Sequence, residues 1–166
     1  ALEELRALGM LKDGTMIGAS MVRANLKGAR LGGANWSKAD LLEANLQATD
    51  LYLTILRGAR LAGAALQDAE MLYVDLEDAD LRGANLRGSD LREANLQGAK
   101  IGETKFDENT MLPDRNRWSA DTDMERYTNP EHAKFWRSDN PHSPAHPSPQ
   151  RDGEPTNTND KTLPPN

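Results

Sequence analysis

The chain has three histidines, His132, His142 and His146, and the last two stand four residues apart. Such a pair could act as two metal ligands, or as a base and its partner, if a rigid element held both rings. Both lie in a proline-rich stretch that provides no such element, so no ligand or base role is assigned to them. Gly28, Gly32 and Gly33 would suit a phosphate loop only if Lys-Ser or Lys-Thr followed, and neither does; they read as corner residues. No serine sits in a nucleophile elbow. Asp121-Thr122-Asp123 opens like a calcium loop but lacks its Gly and its distal Glu. Asp75, Glu77 and Asp78 read as a local acidic spot on a solvated face. Cysteine is absent, which excludes disulfides, thiolate catalysis and cysteine metal sites. These residues predict no catalytic residue, no cofactor, no metal and no enzyme.

The elements that would have to position any site follow a different signal. Every fifth residue from position 11 to position 111 is Leu, Met, Ile, Phe or Trp, twenty-one times in succession. Two residues before each stands a small or short side chain, most often Ala, so the unit reads Ala-(Asp/Asn)-Leu-x-x. A helix cannot use this period. At about 100° per residue, five steps rotate each large side chain by roughly 140° from the last, and no stripe forms. In an extended segment the small and the large residue, two apart, point to the same side, and a turn must absorb the odd fifth residue. Gly58, Gly63, Asp78, Gly88 and Gly98 suit that turn. A short strand followed by a corner repeats, and the result is an all-β solenoid.

Ala39-Asp40-Leu41, Ala44-Asn45-Leu46, Ala84-Asn85-Leu86 and Ala94-Asn95-Leu96 carry a resemblance to the pentapeptide repeat family over residues 11–111. The resemblance implies a right-handed quadrilateral β-helix with four pentads per coil. The central Leu and the Ala before it would point inward and the other three positions outward. Asp40, Arg60, Asp80 and Lys100 alternate in sign at the twenty-residue spacing of such a coil, which keeps like charges off neighbouring strands. With coils about 4.8 Å apart, five of them make a rod on the order of 24 Å long.

The pentads divide the chain. In residues 1–10, Leu2, Leu5 and Leu8 recur at helical spacing before Gly9, with Glu3 and Glu4 in the first turn, so a short helix is expected to cap the open coil. Residues 11–111 form the β-helix. Residues 112–137 hold Trp118, Tyr127, Phe135 and Trp136, half of the chain's aromatics, and read as an irregular cap or strap on the solenoid. Residues 138–166 are rich in Pro, Ser, Asn, Asp and Thr and are expected to be disordered. The apolar runs are too short to cross a membrane, and no charged-then-apolar leader opens the sequence, so it reads as a processed form or a fragment; a cytoplasmic protein is expected, with export or an upstream anchor left open.

The outward positions are mostly charged, polar or Gly. The exceptions are Tyr52, Leu53, Leu72 and Tyr73, stacked on one wall, with Leu42 and Ile55 on adjoining walls. Such a patch marks a contact, and three contacts are open: the chain's own aromatic strap, which is favoured, a second copy, or another protein. Function then falls into two classes. The leading one is a non-enzymatic protein-binding or scaffold module, because rigid walls bind without a large ordering cost. Its protein partner is unidentified, and self-association is a further possibility. The other, drawn from the resemblance, is a DNA mimic that binds a type II topoisomerase such as gyrase. Residues 11–111 carry fifteen acids and twelve bases, a charge too mixed for a strongly negative rod. The absence of a basic stripe disfavours direct nucleic-acid binding, and no membrane insertion is expected.

Overall fold

The computed structural model describes residues 16–147. The chain winds into four-sided coils of twenty residues. Parallel bridges join one residue of each pentad to its counterpart one coil on, as in Asp40↔Arg60, Asn45↔Ala65, Asp50↔Glu70 and Ile55↔Asp75. Four columns of bridges define four walls. The first carries Ser20, Asp40, Arg60, Asp80 and Lys100, and the second Asn25, Asn45, Ala65, Asn85 and Lys105. The third carries Arg30, Asp50, Glu70 and Asp90, and the fourth Asn35, Ile55, Asp75 and Asn95. Each wall contributes one bridge residue per coil instead of a continuous strand, because two of every five residues are spent on the corner.

The corners explain the pentad. The amide of the small residue returns to the carbonyl of the large residue three before it, as Ala44 does to Leu41 at 3.0 Å. The second corner residue is left-handed in every pentad of the regular coils. Gly58 and Gly63 adopt φ of 63° and 67° without a Cβ, and Glu43, Leu53, Asp68, Tyr73 and Asp78 adopt φ of 55–60° with one. The Asp or Asn before the large residue accepts the amide of the first corner residue, as Asn45 Oδ1 does from Gln47 at 3.2 Å. This is the reason for its type.

The interior is a column of large side chains lined by small ones. Leu56, Leu61, Leu76 and Leu86 are buried, as are Ala59, Ala64, Ala79 and Ala84. Polar residues at the small position are satisfied in place. Thr49 and Thr54 donate their hydroxyls to the carbonyls of Leu26 and Leu31 in the previous coil, at 3.1 and 3.0 Å.

The clock slips once. Asp90 pairs with Met111, twenty-one residues on, and Leu112 takes the inward position that the five-residue count gave to Met111. Asp107 accompanies the extra residue. Its carboxylate accepts the amides of Gly88, Asn109 and Thr110 at 2.9–3.1 Å, so a side chain replaces the backbone carbonyl that the ladder would have offered Gly88. Burial pulls the Asp107 carboxyl up, but these amides outweigh it and hold it below the usual carboxylate range.

After the coils come an antiparallel bridge, Met111↔Arg117, and a four-residue helix, α1 (Glu125–Thr128). The expected disorder from residue 138 onward does not hold for residues 138–147. Ser138 and Ser143 are buried against the solenoid by hydrogen bonds that composition does not count. The expected capping helix over residues 1–10, and residues 148–166, lie outside the described residues.

Candidate functional site

Tyr52, Leu53, Leu72 and Tyr73 are corner residues between the third and fourth walls in successive coils, and Ile55 follows on the fourth wall. Tyr52 and Tyr73 meet edge to face, with ring centroids 6.1 Å apart and planes at 79°. Leu42 does not join them. It turns the corner between the first and second walls, diagonally across the coil, because two pentads separate it from Tyr52. Tyr52 and Leu53 remain 45% and 44% exposed, whereas Leu72 and Tyr73 are half-buried.

What partly covers this corner is not the aromatic strap but the segment after it. Asn140 Nδ2 donates to the Tyr73 hydroxyl at 2.8 Å. Ser138 donates its hydroxyl to the Glu93 carboxylate, and Ser143 donates to the Glu93 carbonyl at 2.9 Å. Glu93 stacks on Tyr73 in the next coil, shares its left-handed φ of 60°, and is clamped from the other side by Arg115 at 2.9 Å. One buried glutamate thus holds both ends of the covering loop. Three of the four aromatics of residues 112–137, Trp118, Tyr127 and Trp136, pack against the core instead, while Phe135 lines the fourth-wall cavity and has the Arg137 guanidinium 5.2 Å from its ring centroid. Trp118 stacks on Phe106 at 6.1 Å and 21°, and Tyr127 packs on Trp136 at 6.2 Å. Gly98, in the last coil, donates its amide to the Thr128 carbonyl at 2.7 Å. Burial, aided by the Asp114 carboxylate, pushes the Tyr127 phenol well above its ordinary value.

Beside the corner, the fourth wall carries a charged cluster. Arg57 reaches Glu77 at 2.7 Å and Asp75 at 3.8 Å. Asn95 Nδ2 donates to Asp75 Oδ1 at 3.0 Å and contacts Glu77 at 3.2 Å. Burial pushes the Asp75 carboxyl above its usual range, opposed by the Glu77 amide and by Arg57. A cavity of about 190 Å³ lies between this cluster and the C-terminal segment, lined by Arg57, Glu77, Gln97, Tyr127, Trp136 and Pro144 among others. An open cleft of about 450 Å³ lies between Tyr52, Leu53 and Tyr73 on one side and Asn140 and His142 on the other.

The histidines are dispersed: His132 lies 3.1 Å from Asp123, His142 edges the open cleft, and His146 lines the fourth-wall cavity. Among the described residues no group of three or more His, Asp or Glu could hold a metal ion. No helix among them is long and apolar enough to cross a membrane. Gly28 and Gly33 are left-handed corners, with φ of 65° and 71°. The residue that sequence reasoning missed is Glu93, whose signal was faint: an acid at a corner otherwise occupied by Gly33, Leu53 and Tyr73.

The model of the family described as pentapeptide repeats matches residues 19–58, 59–98 and 73–107, with eight copies of the repeat. The chain belongs to the pentapeptide repeat family. Pentapeptide repeat proteins fold as right-handed quadrilateral β-helices, and in general they are non-enzymatic structural repeat proteins. Among solved structures, the chain is similar to a pentapeptide repeat protein from the cyanobacterium Cyanothece 51142, at 35% identity and a TM-score of 0.40, covering 54% of this chain and 64% of that one. It is similar to one from the Arabidopsis thaliana thylakoid lumen, at 21% identity and a TM-score of 0.45, covering 58% and 60%. It is also similar to QnrB1, a plasmid-mediated fluoroquinolone resistance protein, at 16% identity and a TM-score of 0.38, covering 58% and 69%. The pentapeptide repeat chain thus spans less than two thirds of the first two of these structures. Comparison with curated proteins gave no match.

Proposed function

We propose that this pentapeptide repeat protein is a non-enzymatic protein-binding module that presents rigid coil walls to a partner. The observation that carries the reading is the corner at Tyr52 and Leu53. Both side chains stay close to half exposed although the C-terminal segment passes beside them and hydrogen-bonds to Tyr73. Solvent-facing apolar side chains grouped on one rigid surface are the mark of a contact site. The backbone beneath them is fixed by the coil ladder, so binding costs little ordering.

The walls favour a scaffold over a nucleic-acid mimic. Arginines sit among the acids and pair with them: Arg60 with Asp40, Arg82 with Asp80 and Arg92 with Asp90, each at 2.6 Å. A negative field so interrupted steers a DNA-binding partner weakly.

Affinity capture with the intact chain and with a Tyr52→Ser/Leu53→Gly variant tests the reading. The expected result is one defined protein retained by the intact chain and lost by the variant. The same proteins retained by both, or none by either, would overturn it.

A further inference from the structure

The protein-binding reading leaves the partner's chemistry open, and the surroundings of the corner restrict it. The first wall alternates in sign down its column, Asp40–Arg60–Asp80–Lys100, as parallel neighbours should. The third wall, which leads into Tyr52 and Leu72, does not. It stacks Asp50, Glu70 and Asp90 on consecutive coils, bridged as Asp50↔Glu70 and Glu70↔Asp90. Stacked like charges are unfavourable. Arg30 is bridged directly to Asp50 from the coil before and Arg92 pairs with Asp90 one coil beyond Glu70, so Asp50 and Glu70 have one neighbouring base of this wall between them, Arg30. At the level of the two tyrosines the third wall therefore presents Asp50 and Glu70. On the far side of the corner the fourth wall presents Glu77, paired with Arg57 at 2.7 Å, with Asp78 beyond, while Asp75 lies buried beneath them.

The apolar corner is itself held at a cost. Leu53 and Tyr73 take φ of 56° and 60°, a conformation that bulky L-residues rarely adopt and that glycine adopts freely. Glycine fills the same corner position at Gly33 and many others. Leu53 is not kept there for the core, since it faces solvent. Beside it lie the open cleft and a recess of about 330 Å³ that reaches Ile55, Arg57 and Pro144. Spaces of roughly 300–1,000 Å³ are the class that seats a small ligand or an anchoring side chain.

We propose that this corner docks a basic segment of a partner protein, with an apolar or aromatic anchor in the Tyr52–Leu53–Tyr73 cleft and Lys or Arg on Asp50 and Glu70. This inference rests on the protein-binding reading. Other occupants fit less well. A second copy meeting this face through a twofold axis would set acidic column against acidic column, a juxtaposition that interfaces avoid. The chain's own residues 148–166 contain three acids, two bases and Leu163 as their one large apolar residue, and so bring neither the anchor nor the charge.

The test uses fluorescence polarisation of three labelled synthetic peptides on the intact chain. One carries Leu-Trp between Lys-Arg pairs, one carries Leu-Trp between Asp-Glu pairs, and one carries Ser-Gly between Lys-Arg pairs. The first should bind about tenfold more tightly than either control, and more weakly as salt rises. Two variants keep the fold. Leu53→Gly places glycine where the backbone already suits it. Asp50→Asn/Glu70→Gln removes two charges while Asn retains the acceptor that caps the Tyr52 amide, 3.0 Å away. Each should weaken the first peptide by roughly fivefold or more. Equal binding of the acidic peptide, or no loss in either variant, would overturn the proposal. So would a dimer in sedimentation that Leu53→Gly dissolves, which would give the corner to a second copy. If peptide preference is absent while capture still depends on Tyr52 and Leu53, the basic chemistry fails and the protein-binding reading stands. If capture also fails to depend on them, both fall.

Discussion

A core one coil wide has no second layer to accept a misplaced charge. Leu56 and Leu86 are each 1% exposed and belong to the interior cluster. Replacing either with Asp buries an unpaired carboxylate, which costs several kcal/mol against a total stability of about 5–15 kcal/mol. The expected outcome is an unfolded chain by circular dichroism; a β-rich spectrum and unchanged melting point would contradict the inward assignment. Two other carboxylates oppose each other in pH. Asp80 is held down to about 2 by the Arg82 guanidinium, so its stabilisation is complete above its ordinary value of 3.8 and is lost as pH falls toward 2. Asp75 is raised by burial, so the fold prefers it protonated and stability falls as pH rises through its folded pKa. Asp80→Asn, which keeps the acceptor for the Arg82 amide, should flatten the acid limb of the melting curve. Asp75→Asn should raise the melting point at neutral pH; a lowered one would mean that the Arg57 pairing outweighs desolvation.

At the scale of elements, the coils were legible and the segment that covers them was not. The period of five fixed which residues face inward, because a small and a large residue two apart must share a side of an extended chain. It failed at residue 107, where counting by fives placed Met111 inside, although Thr110-Met111-Leu112 repeats the small-x-large unit one residue later. Residues 138–147 carried no such signal. They dock through single hydroxyls and one amide, those of Ser138, Ser143 and Asn140, and a sequence holding these looks like any polar linker. The rings of residues 112–137 called for a covering surface, but which surface would receive them was not legible, since both the Tyr52 corner and the end of the last coil needed covering. The structure places Trp118 on Phe106 at the coil end, and Phe135 and Trp136 beside the fourth-wall cavity. Ending the chain after Arg137 should therefore lower the melting point by a few degrees, roughly what one or two lost buried hydrogen bonds cost. Amide exchange should rise at residues 71–75 and 91–95 and stay unchanged at residues 56–60. Exchange unaltered at Tyr73 and Glu93 would show that the segment contributes no protection.

Taken whole, the described molecule is a short rod. The C-terminal segment is hydrogen-bonded to Tyr73 and Glu93, at the corner between the third and fourth walls. The rod's C-terminal end is closed by backbone as well as by rings. Glu93 donates its amide to the Pro113 carbonyl, Leu112 to Asn116, Trp118 to Thr110 and Gly98 to Thr128, all at 2.7–3.0 Å. These bonds take up edge groups that a further coil would have paired. A coil stacked on a coil is a parallel ladder with no intrinsic stop, so an uncovered end is a template for another chain. Ending the chain after Pro113 removes Trp118, Tyr127 and Trp136 together with the Asn116 and Thr128 carbonyls, while the buried Leu56–Leu86 interior stays as it is. The expected outcome is a folded rod that self-associates end to end, seen as a concentration-dependent rise in sedimentation coefficient with the circular dichroism spectrum retained. Leu53→Gly should leave that association untouched, because the corner at Tyr52 and Leu53 lies on the side of the rod and not at its end. A monomer at every concentration would mean that the last coil resists stacking by itself and that the strap serves the fourth-wall cavity instead.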